Sequence, residues 1–417
     1  MTRRQQIEES VDAQWFFRLR EIAPPLLLSS YKIENKLLQV LYSKFLSDRN
    51  NPQFEYILPK RDELLECQRA LCDLREEILH NQTNKSIESQ YFLKINQYLR
   101  TLDILLASVT KDWELFEKAN IERYGHLDKA DAASLIAVRQ RKYGIFKDVI
   151  LNVGPVAKRR PSKEELVLLK EYFDSEAFFT VDPQDIYSAE QTVSLWNEEI
   201  KKRYPNWLCE ISSEVAYIRT DNRRRRVLIP PTTKLRGRKL KSLFAHEIGV
   251  HVRRREAGKR TRLQLLSIGM AESESAEEGL ATMAEQVSGA RVRLGGTDRY
   301  IALALATGAV DGVRRDFKDT FGLLEEYFHC RYVRQYGSER ALELAQATAW
   351  KLCVKIFRGG NPNIPGNCLR KEKIYREGSW AMWGIFREQP DVFSLWPRGK
   401  FDLSNPEQVE LVRKYTL

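Results

Sequence analysis

The sequence predicts a mostly α-helical α+β protein in two parts: a helical N-terminal region over residues 1–150, and residues 151–417 with one small antiparallel sheet. Three observations predict this. Apolar residues recur at helical spacing through most of the chain. Period-two alternation is confined to the stretch 214–231. With 43% hydrophobic and 10% aromatic residues in 417, the chain can bury a sizeable core.

In the first part, residues 62–79 and 88–108 carry apolar side chains at helical spacing, with a polar turn expected over 80–86. A third helix is expected over 111–124, ending near Gly125. Residues 151–162, with Gly154, Pro155, Pro161 and a basic run, read as a connector. A helix over 188–202 follows. Residues 214–220 and 225–231 then read as a β-hairpin around Asp221 and Asn222, closed by Pro230-Pro231, which cannot continue a ladder. Helical patterns return at 240–255, 273–287, 297–309, 312–336 and 338–357. Residues 358–367 read as a loop. The tail from Tyr375, with Trp380, Trp383, Phe386, Phe393 and Trp396, is expected to pack back onto the body.

No apolar run approaches the length of about 20 residues that spans a bilayer. The charged N-terminus lacks the apolar centre of a secretory signal, so a cytoplasmic protein is expected. Six cysteines (Cys67, Cys72, Cys209, Cys330, Cys353 and Cys368) show no Cys-x-x-Cys pair, which argues against a cysteine zinc knuckle or a disulfide framework. The formal net charge of +11, clustered at 158–163 and 223–226, suits either a solvated surface or an acidic partner.

Chemistry concentrates in 244–258. His246, Glu247 and His251 lie within six residues, one residue longer than the zinc-peptidase spacing His-Glu-x-x-His. On a regular helix, positions five apart lie about 140° apart, so the two imidazoles cannot easily share an ion. A π-bulge adds about one residue to a turn and restores a common face. Gly249 lies inside the interval and is where that distortion is expected. The acidic run 272–286 reads as a second helix. Its acids also suit a helix N-terminus, and spacing alone leaves Glu277 and Glu278 as alternative third ligands. The Gly279-Leu280-Ala281 that follows suggests close approach of this helix to the histidine helix.

These two blocks resemble the metallopeptidase family that contains the microtubule-associated tyrosine carboxypeptidases, whose bacterial members are known for a QEGLA motif. Further segments are similar to family markers: 51–59 (NPQFEYILP), 116–125 (FEKANIERYG), 355–360 (KIFRGG) and 371–378 (KEKIYREG). The family motif is His-Glu-x-x-x-His, so the stretched spacing belongs to its design. The resemblance implies a zincin-like metallopeptidase domain over 151–417, with Zn2+ held by His246, His251 and Glu278. It makes Glu247 the general base. The bacterial motif has Gln where this chain has Glu277, which disfavours Glu277 as a ligand. Glu372 stands where relatives often have Asp.

By motif position, Tyr375 is the candidate oxyanion donor, and Arg358 and Lys371 are the candidates for reading a substrate's terminal carboxylate. The implied activity is zinc-dependent carboxypeptidase hydrolysis, and tubulin tyrosine removal is an activity of some family members. The implied partner is a peptide or protein C-terminal tail, an acidic one in view of the net charge, and neither membrane nor nucleic acid is expected. The competing reading is a basic protein that binds nucleic acid or another acidic partner and carries an inert or structural metal site.

Overall fold

The computed structural model describes residues 10–22, 24, 31, 33–80, 84–173, 179–215, 217–289 and 294–416. The N-terminal part contains α1 (Ala13–Ile22), α2 (Asn35–Asp48), α3 (Arg61–His80), α4 (Lys85–Thr110), α5 (Trp113–Tyr124) and α6 (Lys129–Tyr143). The boundaries of α4, α5 and α6 follow capping chemistry. The side chains of Asn84, Asp112 and Asp128 accept from backbone N–H groups of the first turns, and Gly125 and Gly144 take positive φ at the C-terminal ends of α5 and α6. The turn expected at 80–86 lies partly outside the described residues. Three of these helices, α1, α2 and α6, had not been read from the sequence.

The remainder begins with α7 (Lys163–Lys170) and β1 (Ile186–Ser188), then α8 (Ala189–Arg203). Strands β2 (Leu208–Ile211), β3 (Arg219–Asp221), β4 (Arg226–Ile229) and β5 (Lys234–Arg236) follow. Ser162 and Ser188 open α7 and α8 with full capping boxes. The expected hairpin is present as β3–β4, with Thr220 opposite Val227. The sheet is larger than the hairpin and not purely antiparallel: β2 adds to the other edge of β4 in parallel, and β1 pairs with β5 in a separate antiparallel ribbon. Each strand is only three or four residues long, which gives little alternation to read.

The histidine helix runs as α9 (Gly237–His246), a π-helical segment (Glu247–Val252) and α10 (Arg253–Gly258). The distortion expected around Gly249 is therefore a full π turn. Leu240, Phe244, Ile248 and Val252, four apart, face the small sheet and α8. Ala245 and Val250, five apart, face the helical body. One face keeps α spacing and the other keeps π spacing, as an inserted residue requires.

After α11 (Leu265–Ile268) come α12 (Ser273–Val287), α13 (Thr297–Thr307), α14 (Phe317–Tyr336) and α15 (Ser338–Ile356). A 3₁₀ turn (Arg370–Lys373) leads into α16 (Ile374–Glu388), then α17 (Pro390–Phe393), a second 3₁₀ turn (Trp396–Arg398) and α18 (Pro406–Tyr415). The aromatic tail packs back as expected, with Trp383, Phe393 and Trp396 essentially fully buried. Gly279 allows close helix approach, but against α16 and not the histidine helix: a Cβ there would lie 2.3 Å from the Gly378 carbonyl oxygen. The body holds two large apolar cores, each drawing on side chains from both sides of residue 150, and a third core sits beneath the small sheet. Among the described residues no helix is long and apolar enough to cross a membrane. All six cysteines are unpaired thiols, three of them buried.

Candidate metal centre

The π turn lets His246 and His251 converge. Their ring centroids are 5.0 Å apart with the planes at 68°. Helix α12 crosses this segment and brings Glu278 to them. One ligand atom from each of His246, His251 and Glu278 lies within 4.8 Å of the other two. Small side-chain adjustments would bring all three onto one ion.

The surrounding carboxylates decide which imidazole nitrogen faces inward. His251 donates from Nδ1 to Glu277 Oε1 at 2.8 Å, and the Lys400 amine meets the same oxygen at 2.7 Å. His246 Nδ1 lies 2.8 Å from Glu285 Oε1. Both rings turn Nδ1 toward a carboxylate, His251 through a hydrogen bond and His246 at ion-pair distance, and His246 directs Nε2 toward Glu278, the arrangement by which carboxylates orient metal-binding histidines. Glu278 Oε2 is 3.6 Å from His246 Nε2 and, though buried, accepts no hydrogen bond among the described residues. A buried carboxylate oxygen without a donor is costly unless a cation completes it. This donor set, two imidazoles and one bare carboxylate, fits zinc, which displaces any proton from the nitrogen it takes.

Burial would lower the His246 pKa, but the Glu285 carboxylate, with Glu247 and Glu278 behind it, holds it up at about 9. Glu285 and Glu277 are held well below the usual carboxylate range against burial. His246 and Lys239 do this for Glu285, and Lys400, His251 and Arg254 for Glu277. The outer carboxylates are thus balanced by cations of the chain, while the Glu278 oxygen has no hydrogen-bond donor among the described residues.

Residues 167–415 match the model of the family described as microtubule-associated tyrosine carboxypeptidase. The chain belongs to this carboxypeptidase family. No curated protein and no solved structure matches the chain significantly. The match covers every residue of the centre, from Thr220 on β3 to Lys400 after α17, so the family assignment and the geometry concern the same part of the chain.

Glu247, the candidate base of this carboxypeptidase relative, is buried on the π turn and accepts from the Thr220 hydroxyl at 2.7 Å. Tyr375, on the first turn of α16, has its ring under the Arg299 guanidinium at 4.0 Å. Burial, then the facing Glu278 carboxylate, pushes its phenol far up, so it stays protonated as a donor. Lys371 is buried and bound to Glu274 at 2.9 Å, which already uses its charge. Arg358 makes no ion pair or hydrogen bond among the described residues and remains available. The structure thus brings Glu247, Tyr375 and the three candidate ligands together, while separating the roles of Arg358 and Lys371.

Sequence reasoning missed Thr220, Lys400, Arg299 and the orienting roles of Glu277 and Glu285. Glu285 had a readable signal: it lies seven residues, about two turns, beyond Glu278 and so shares its face. The others come from distant elements. Several of the basic side chains are neutralised locally. Arg224 pairs with Glu214, Arg226 with Glu210 and Lys158 with Asp128.

Proposed function

We propose that the chain is a zinc-dependent carboxypeptidase that hydrolyses the last peptide bond of a protein or peptide tail. The observation that carries this reading is the bare, buried Glu278 oxygen beside two histidines whose Nδ1 atoms face Glu277 and Glu285 at 2.8 Å. His246, His251 and Glu278 would hold the metal. Zinc, when bound, supplies Lewis acidity and lowers the pKa of a water toward neutrality.

The chain's own groups then act in order. Glu247 accepts the water proton and returns it to the leaving amine. The Thr220 hydroxyl fixes one Glu247 oxygen, so the other faces the reaction. The Tyr375 phenol donates to the oxygen that gains charge at the scissile carbonyl. The outer edge of β3, which ends the three-stranded sheet, would take an extended substrate by strand addition. Arg358 would meet the terminal carboxylate. The family description motivates tyrosine as the released residue.

Two measurements test this reading together. Protein purified without added metal should carry about one zinc per chain. Mass spectrometry of a peptide mixture should show single residues lost from free C-termini, with amidated peptides barely cut. A preference for acidic tails should fade with salt, because exposed charges more than about 10 Å apart are screened near 0.1 M. Equal cleavage of amidated peptides or of internal bonds would leave an endopeptidase, and metal-free protein with full activity would remove the zinc assignment.

A further inference from the structure

Beyond the metal ligands, positive side chains gather around one carboxylate. Glu372, buried in the 3₁₀ turn, pairs with Arg299 at 2.8 Å, and Lys355 and Arg358 also face it. Lys355 sits in the last turn of α15, and Arg358 follows its end. Neither makes an ion pair or a hydrogen bond among the described residues. One carboxylate thus faces four cations, Arg299, Lys355, Arg358 and Lys371, of which Lys371 is paired with Glu274, leaving a local excess of positive charge.

This cluster adjoins the centre. Arg299 lies over the Tyr375 ring, and Tyr375 faces Glu278. Its outer side is covered by Tyr217, whose ring lies 4.2 Å from the Lys355 amine and whose side chain is 47% exposed. Tyr217 also faces Arg358, Arg299 and Glu372. It lies three residues before Thr220, whose hydroxyl holds the base. The strand that positions Glu247 is therefore continuous with the cover of the cation cluster.

We propose that Lys355, with Arg358 beside it and Tyr217 over it, forms the anion subsite that binds the substrate's terminal carboxylate, with Lys355 as its principal reader. The assignment rests on the carboxypeptidase reading and replaces Lys371, which Glu274 neutralises. A desolvated ammonium without a counter-ion gains more from an incoming carboxylate than one already paired. The Tyr217 ring shelters the amine, as aromatic faces hold cations. Burial, Arg299 and Arg358 hold the Lys355 amine down at about 8, with Glu372 opposing them and Lys351 adding to them. Carboxylate recognition should therefore weaken as pH rises past that value, while the guanidinium charges persist.

The test uses the full-length Glu247→Gln protein, so that peptide survives, and a fluorescent acidic peptide ending in tyrosine, as free acid and as C-terminal amide. Fluorescence anisotropy should show the free acid bound about tenfold or more tightly than the amide. Lys355→Met should bring both to the amide value, and Lys355→Arg should restore most of the gap. Tyr217→Leu, on a half-exposed side chain, should reduce the gap several-fold while Tyr217→Phe leaves it intact. Equal affinity for acid and amide in the Glu247→Gln protein, or a gap that survives Lys355→Met, overturns the subsite. A full gap with no release of the terminal residue by the protein carrying Glu247 overturns the peptidase reading and leaves the subsite standing.

Discussion

At the first turn of α12, Glu274 meets the Lys371 amine at 2.9 Å and the Arg123 guanidinium at 2.9 Å, and Glu272 binds the same guanidinium at 3.1 Å. One turn further along the same helix, Glu278 keeps a buried oxygen without a hydrogen bond, and its neighbour Glu277 orients a histidine. The chemistry of the side chains is identical. What differs is the charge delivered by other elements: α5 and the 3₁₀ turn bring cations to the first turn, whereas the end of α9 and the π segment each bring an imidazole to the second. Against the pull of burial, Lys371 and Arg123 hold Glu274 down at about 2, so it is a structural anion that ties α12 to the N-terminal helices. Glu278, left without a cation of the chain, is the one suited to an ion from solution.

The sharpest way to break this comparison is to remove the base between the two imidazoles. Glu247→Gln should keep zinc and fold yet lose about 10²–10⁴-fold in turnover, because an amide cannot accept the water proton. Peptide hydrolysis at the parental rate would show that another group is the base.

Next in size are the neighbouring glutamates. Glu278→Gln should largely abolish zinc retention on dialysis. Glu277→Ala should weaken it about 10–100-fold, as loss of an orienting partner typically does, and Glu277→Gln by less, since its amide oxygen can still accept from His251. Metal titration by competition with a chromophoric chelator reads all three. Equal retention by Glu278→Gln and the parent would remove Glu278 from the ligand set.

Glu274→Gln should leave zinc binding unchanged and lower stability by about 1 kcal/mol, a modest loss because the Glu274 side chain is 45% exposed. Urea unfolding checks it, and a loss of metal without a loss of stability would reverse the roles drawn for the two turns.

The smallest expected effect is in the metal-free protein. His246 has a folded pKa raised from 6.5 to about 9, so its ion pair with Glu285 stabilises fully below the lower value and is lost as pH rises through the upper one. The melting temperature of metal-free protein should fall across that window, and Glu285→Gln should flatten the decline. Zinc affinity should rise over the same range as the competing proton leaves. A metal-free melting temperature that climbs with pH would contradict the His246–Glu285 pairing.

Much of the helical body and the centre was legible in the sequence because both rest on local rules. Apolar periodicity marked α3, α4, α5, α8, α12, α13, α14 and α15. The five-residue spacing of His246 and His251 pointed to a π turn if the two were to share an ion, since a regular α-helix puts such positions on nearly opposite faces, and the segment is π-helical. The residue types of the motif, and its resemblance to a family, named the candidate ligands and base. Short strands carry too few residues for a pattern, so β1, β2 and β5 and the parallel pairing of β2 with β4 were not readable. Gly279 announced a close approach without saying to which helix, because a missing Cβ records a need for space and not the identity of the neighbour.

The sequence by itself pointed to two imidazoles and one of two adjacent carboxylates as a metal site, and its resemblance to a family favoured the second carboxylate. Only the tertiary structure decided which acids are neutralised: Glu274 by Lys371 and Arg123, Glu277 by Lys400, with Glu278 left bare. The physical reason is the short range of charge pairing in a partly buried site. An ion pair forms only where two side chains meet within a few ångströms, and Lys371 and Lys400 reach α12 from about a hundred residues or more away in the chain.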